Sequence, residues 1–382
     1  MFLKNFSKLV STTVLIQIVS FLLYPIITRT WNPTDFGKFS LLISVGNIIC
    51  IFSTGQFQVG GMVESDEPKA KSLFNAAKFF NACTALLVFF TVMILQNDVR
   101  WLFLPLFVFS YSNYEIMRFE ALRDKALNRF ASGQIISRIG ATLLKLIPGP
   151  AFFLVLTEVL GNLFAVLFFG RGNLKKIFSF TLPDFGVLKN YKKYPLFYTL
   201  NLGTQSLTYE LPSILLGLQG QNYLIGIYGI CQRILIQPLT IIANNVFTTI
   251  FSMPLSPDER TKKCVRIGVF AVSMGVILKI GFDFVGIKLL TVFLGGKWVE
   301  GKEFYTIFSY ILITKVLGNM ALANYVSTYR LERSTAIRLT QLCTIVLSYI
   351  VCGDDNIFFF KVFVAIDMLF DAGSFLISLR RT

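Results

Sequence analysis

About a dozen long apolar stretches take up nearly all of this 382-residue chain, joined by short loops that alternate between rich and poor in Lys and Arg. A segment that crosses ~30 Å of hydrocarbon needs about 20 mostly apolar residues. Inside lipid only helices or closed barrels satisfy every backbone N–H and C=O. Spans are predicted near 9–28, 36–56, 73–95, 101–117, 132–148, 150–169, 194–217, 224–250, 265–286, 304–326, 335–352 and 356–379. The chain is 54% hydrophobic and 15% charged, whereas a soluble domain carries about 25% charged residues. Lipid must therefore be the solvent for much of its surface. The expected fold is an all-α polytopic membrane protein, with about twelve transmembrane helices in two six-helix bundles around a central cavity.

Charge orients these spans. The formal charge is +15, but the basic residues sit between the apolar runs rather than on one face. That pattern fits membrane orientation and argues against nucleic acid as a partner. With the N-terminus inside, about 24 Lys and Arg fall on the cytoplasmic side, among them Lys4, Lys69, Lys175, Arg330, Arg338 and Arg380, against 6 outside. Both termini are thus expected in the cytoplasm. Pro148-Gly149-Pro150 separates the fifth and sixth spans, and reading these as one would invert every later loop. The first apolar run ends in Tyr24-Pro25 and Arg29 without a small-residue cleavage site, so it reads as a retained span. The basic segment 171–193 reads as a linker between an N-terminal bundle, 1–170, and a C-terminal bundle, 194–382. A faint repeat agrees: Pro25 and then Gly37-Lys38-Phe39 in the first half match Pro212 and then Gly226-Ile227-Tyr228 in the second. This is the mark of a parallel repeat about the membrane normal.

Polar residues recur at helical spacing on three spans. Thr13, Gln17, Ser20, Tyr24 and Thr28 share one face of the first; Ser40, Ser44, Asn47 and Thr54 follow on the second; Tyr198, Asn201, Gln205, Tyr209 and Ser213 lie on the seventh. They are either glue between helices or the wall of a wet cavity. Charges inside spans cost roughly 2.5–3.5 kcal/mol each on insertion scales. Lys279 and Asp283, four residues apart, are expected to pair. Arg233, flanked by Gln232 and Gln237, and Lys315 have no acidic neighbour one turn away, so each needs a carboxylate on another helix, Glu210 being the candidate for Arg233, or an anionic ligand. Lys145 and Lys361 lie near span ends, where long side chains snorkel. Glu158, Asp367 and Asp371 read as packing or interface residues. Pro25, Pro212 and Pro238 are candidate kinks.

The chain contains no His, which removes the commonest acid/base group and metal ligand. Its six Cys form no CxxC pair and lie mostly in apolar runs. No Walker A, GxGxxG, GxSxG or HExxH pattern occurs. Asp354-Asp355 is the nearest thing to a metal site and reads as a solvated turn. An enzyme is not expected, and neither is a cofactor.

Four stretches resemble the Wzx-type polysaccharide flippases of the multidrug/oligosaccharidyl-lipid/polysaccharide exporter superfamily. They are Phe21–Arg29 with Asn32–Phe39, Ser65–Leu73, Glu210–Leu216 with Ile225–Arg233, and Phe293–Gly301. Gln58-Val59-Gly60-Gly61 departs from the pattern, since members of the family commonly carry an acidic residue there. The resemblance implies two six-helix bundles forming a V-shaped cavity in the cytoplasmic (inner) membrane of a bacterium. It implies a substrate of undecaprenyl pyrophosphate bearing an oligosaccharide repeat unit, an O-antigen or capsule precursor, moved by alternating access. In that setting Arg29, Arg233, Lys279 and Lys315 are the candidate cations for the pyrophosphate, and Gln17 and Gln205 are candidates for the glycan. Glu210 and Asp283 are candidates for coupling to H+ or Na+. A polysaccharide polymerase complex would be a partner beside the membrane lipids. The rival readings are a cation-coupled multidrug exporter of the same superfamily, and a membrane polymerase or glycosyltransferase.

Overall fold

A computed structural model of the chain describes residues 2–95, 98–172, 183–192, 194–239, 257–327, 331–353 and 355–379. Much of the 171–193 linker, the end of the span predicted at 224–250, and Lys175, Arg330, Asp354 and Arg380 lie outside them.

The described residues are helical, with no strand. The helices are α1 (Phe2–Thr30), α2 (Pro33–Ser53), α3 (Phe57–Val63), α4 (Glu67–Leu95), α5 (Phe103–Arg123), α6 (Leu127–Leu144), α7 (Ala151–Gly170), α8 (Phe185–Asn190), α9 (Thr199–Leu218), α10 (Asn222–Cys231), α11 (Pro257–Gly281), α12 (Ile287–Leu294), α13 (Lys302–Ser309), α14 (Ile311–Ser327), α15 (Leu331–Cys352) and α16 (Asn356–Leu379). Wide π turns prolong or precede three of them, at Tyr194–Tyr198, Gln232–Ile236 and Phe282–Gly286.

Six helical segments are long and apolar enough to cross a bilayer, and seven if Gly296–Ser309 and Ile311–Ala321, bent by 49°, make one span. The other expected spans are helical where the described residues cover them, but carry more polar groups; α5, for example, bears Glu115, Arg118 and Glu120. The apolar spans expose apolar faces: Leu87 of α4 is 67% exposed, Ile94 80%, and Val351 of α15 82%. Such faces are stable only against lipid.

The chain divides into two compact units. One comprises Met1–Trp31 with Lys38–Ser206, and the other Asn32–Gly37 with Leu207–Thr382. In the first unit α6 packs closely on α7, and both α4 and α7 pack on α5. Pro148-Gly149-Pro150 does separate two helices, and α6 ends before it at Leu144. Small polar pairs hold the helices: Ser53 Oγ lies 2.8 Å from Ser112 Oγ between α2 and α5, and Ser137 Oγ donates to Asn162 Oδ1 at 2.8 Å between α6 and α7. Ser40 and Ser44 of the second-helix stripe are buried. The short helix α3 has no counterpart in the sequence reading. It follows a tight reversal in which Gly55 and Gln56 both adopt positive φ.

The second unit is built on α14, which packs against α11 and α16, with α15 on α16. Glycines set the approach: a Cβ at Gly275 would stand 2.5 Å from the Leu312 carbonyl oxygen. Tyr228 of α10 is buried against Phe308, Phe360 and Phe363, which ties α10, α13 and α16 into one aromatic core.

Candidate functional site

Two charged assemblies lie within span helices, one in each unit. In the second unit Lys315 of α14 is 1% exposed. Its Nζ donates to Asp367 Oδ2 of α16 at 2.9 Å and lies 3.5 Å from Asp371 Oδ2. It also lies 4.1 Å from the ring centroid of Tyr209 on α9. Arg338 of α15 reaches Asp371 Oδ1 at 3.3 Å and Gln341 Oε1 at 2.6 Å, and Gln341 donates to Asp367 Oδ1 at 3.0 Å. Two cations and two carboxylates thus close a neutral network, the arrangement that makes buried charge tolerable.

This revises two sequence expectations. Asp367 and Asp371 are not packing residues but the counter-charges of Lys315; being one helical turn apart, they face it together. Arg338 is not a loop cation but is buried at 3% exposure inside α15. Lys315 has carboxylates on another helix, which sequence spacing within one helix cannot show. Gly318 makes the geometry possible, since a Cβ there would stand 2.0 Å from Asp371 Oδ1.

In the first unit the assembly spans α5, α6 and α7. Lys145, at the end of α6, does not snorkel. It is buried, bonded to Glu158 of α7, and lies 5.1 Å from the ring centroid of Phe39. Glu158 is therefore an ion-pair partner rather than a packing residue. Arg118 pairs with Glu115 at 2.6 Å. Arg138 of α6 differs. The residue is exposed, its guanidinium lies over the Tyr111 ring at 5.6 Å, and it has no carboxylate within 4 Å among the described residues.

The other candidates are placed as follows. Lys279 is buried, bonded to Asp283 as expected, with its Nζ 3.9 Å from the Tyr310 ring centroid. Asp283 and Arg233 each sit in a π turn, at Phe282–Gly286 and Gln232–Ile236, an irregularity frequent at functional positions. Arg233 lies over the Phe36 ring at 4.7 Å, and Phe36 meets Trp298 edge-on at 5.7 Å. Three of the stretches that carry the resemblance thus converge within the second unit. Glu210 is half-buried on α9, where Pro212 loosens the helix. The neighbouring Tyr209 carbonyl accepts the Tyr228 hydroxyl at 2.7 Å and Gln232 Nε2 at 2.9 Å. Gln17 and Gln205 are half-buried, and Arg29 is exposed in the last turn of α1. Gln58, where the resemblance leads one to look for an acid, is buried on α3 and donates to Gln56 Oε1 at 3.2 Å. Among the described residues no cluster of His, Cys, Asp and Glu is suited to a metal.

Solved structures with the same fold give these helices a context. An inward-facing conformation of a multidrug resistance MATE family transporter of the MOP superfamily superposes with a TM-score of 0.73 at 12% identity, covering 95% of this chain and 93% of that one. An outward-facing conformation of a multidrug resistance MATE family transporter of the MOP superfamily gives 0.62 at 11%, covering 99% and 97%. The fold is that of the MATE transporters. A MOP superfamily transporter from Pyrococcus furiosus, whose reverse polarity of the binding pocket is taken to suggest a different function, gives 0.57 at 10% identity over 99% and 97%. No protein-family signature matches the sequence. No curated protein matches it either. The chain is a multi-pass membrane protein with a MATE-like, two-unit helical fold.

Proposed function

We propose that this chain is a membrane exporter that translocates polyprenyl-pyrophosphate-linked oligosaccharide units by alternating access. Arg138 carries the reading. A guanidinium on a span helix, over the Tyr111 ring and without a carboxylate within ion-pair distance among the described residues, is costly against acyl chains. It is favourable where water and an anion reach it, and its planar fork matches phosphate oxygens. Arg29, Arg233 and Lys279 join it as candidate contacts, and Gln17 and Gln205 as glycan contacts. Lys315, the remaining candidate, is already held by Asp367 and Asp371. The proposal includes the cytoplasmic membrane of a bacterium, both termini inside, bundles 1–170 and 194–382 joined by the basic segment 171–193, and a polymerase complex receiving the product. Glu210 or Asp283 would couple to H+ or Na+.

The test is export of a labelled polyprenyl-pyrophosphate glycan into proteoliposomes by the wild type, R138Q and R138K. R138Q is expected to lose most transport while inserting normally, with R138K retaining part of it. Full transport by R138Q removes the observation on which the reading stands.

A second reading is a cation-coupled drug exporter. The fold shared with a multidrug resistance transporter favours it, whereas an unpaired cation such as Arg138 repels cationic drugs. Drug susceptibility of a strain expressing the chain separates the two. Raised resistance together with absent glycan transport selects this second reading.

A further inference from the structure

Four helix ends in the first unit enclose a pocket of about 510 Å³: the start of α4, the end of α5, the start of α6 and the end of α7. Its floor is apolar, with Phe74, Met117 and Phe169 all buried. Its walls are charged, and two of its cations are already matched. Lys78 Nζ lies 2.8 Å from Glu120 Oε1, and Arg123 Nη1 lies 2.5 Å from Glu67 Oε2. Two more, Lys71 and Arg129, line the pocket with no carboxylate within 4 Å among the described residues. Arg129 lies over the Phe169 ring at 5.9 Å, and its Nε is buried without an acceptor from the described residues. Asp124 is the third acid of the lining and is exposed. The lining therefore holds one more cation than anions, and at least one buried donor for which no described residue supplies an acceptor.

The level of the pocket indicates what meets it. The apolar runs of α4 and α7 stop here and the charged residues of α5 and α6 begin, so the pocket lies where hydrocarbon gives way to headgroups. Charge counting assigns this end to the cytoplasmic leaflet, whose anionic lipids are drawn to basic pockets between helices. We propose that this pocket binds the phosphodiester of an anionic phospholipid headgroup. Arg129 and Lys71 would contact its oxygens, and the aromatic floor would lie under its glycerol backbone. The site stands apart from translocation, and its ligand is a resident lipid rather than cargo.

The experiment is native mass spectrometry of the full chain released from micelles containing equal phosphatidylglycerol and phosphatidylcholine. Wild-type, K71Q, R129Q and R129K chains would be compared, with K125Q as a control outside the pocket. The wild type is expected to retain phosphatidylglycerol preferentially. Each neutralisation should reduce that preference roughly fivefold, in line with the usual worth of one basic residue at an anionic surface. R129K and K125Q should keep most of it. Lys71 is exposed, so K71Q preserves the test if R129Q does not fold. Equal retention of the two lipids, or undiminished preference in K71Q, overturns the proposal. Displacement by millimolar inorganic phosphate as readily as by lipid also overturns it, by making the ligand a free anion.

Discussion

Gly37 in the first turn of α2 packs backbone to backbone against Gly226 of α10. A Cβ on Gly37 would stand 1.7 Å from the Asn222 carbonyl oxygen, and one on Gly226 would stand 2.0 Å from the Pro33 carbonyl oxygen. These are the two glycines that mark the faint sequence repeat. The first turn of α2 belongs to the second unit, and there only hydrogen atoms on these two glycines separate it from α10.

Gly37→Ala and Gly226→Ala should each be severe, because the atom a methyl group meets is backbone and cannot swing aside. Overpacking of this kind costs about 1–3 kcal/mol or more. Thermal unfolding in detergent should show both variants well below the wild type. Gly140→Ala, where a Cβ meets nothing within 4 Å, should be neutral or slightly stabilising. Equal melting of Gly37→Ala and wild type would refute the close approach.

The Lys315 network predicts strong non-additivity. Lys315→Met leaves Asp367 and Asp371 buried with only Arg338 between them, and removing one partner of a buried pair costs about 3–5 kcal/mol. Asp367→Asn alone should be costly as well. The double variant Lys315→Met/Asp367→Asn restores neutrality with Arg338 and Asp371, and should unfold later than Lys315→Met alone. A double-mutant cycle on detergent-solubilised protein reads this coupling, and strict additivity would mean that the four groups do not act together. Gly318→Ala belongs to the same test, since its methyl would displace Asp371.

Fold class was legible because it rests on periodicity and length: twenty-residue apolar runs and basic loops are properties of contiguous sequence. The Lys279–Asp283 pair was legible for the same reason, since both residues lie on one helical turn. Lys315, Arg338 and Asp371 were not, because their partners sit 52, 33 and 56 residues away and nothing local encodes which helix faces which. The signal present was the four-residue spacing of Asp367 and Asp371, which puts two carboxylates on one face of an apolar helix. One buried carboxylate is easily dismissed, but two on a single face require cations opposite them. Arg338 was hidden by its position near a span end, where charge ordinarily belongs to the loop.

Asp98, in the loop after α4, accepts from the Arg100 amide at 3.0 Å and from its Nε at 2.8 Å. The hydrogen bond from Arg100 holds its carboxyl below the usual carboxylate range. A group with a depressed folded-state pKa contributes stability above its unfolded value, about 3.9 for Asp, and loses it as pH falls through the folded value. Protection of the Arg100 amide, measured as its exchange rate relative to the intrinsic rate, should therefore fall on acidification below that range. It should be low and independent of pH in Asp98→Asn. Because the pair is part-exposed, global stability should move little.

The final prediction concerns the break between α6 and α7. A helix end leaves its last carbonyls without intrahelical partners, and Pro148 and Pro150 cannot donate to them. The Lys145 carbonyl, at the C-cap of α6, instead accepts the indole N–H of Trp31 at 2.7 Å. Trp31 is 2% exposed, so water does not substitute easily if the indole is lost. Trp31→Phe keeps most of the ring but orphans the carbonyl, at a cost of about 1–3 kcal/mol. The Lys145 ammonium donates to Glu158. Loosening the C-cap should therefore also weaken the α6–α7 ion pair, and Trp31→Phe and Glu158→Gln should be coupled rather than independent. The measurement is a cycle of melting temperatures for the two single variants and the double. A coupling indistinguishable from zero would show that the cap and the ion pair act separately, and that the α6–α7 turn owes its rigidity to its prolines alone.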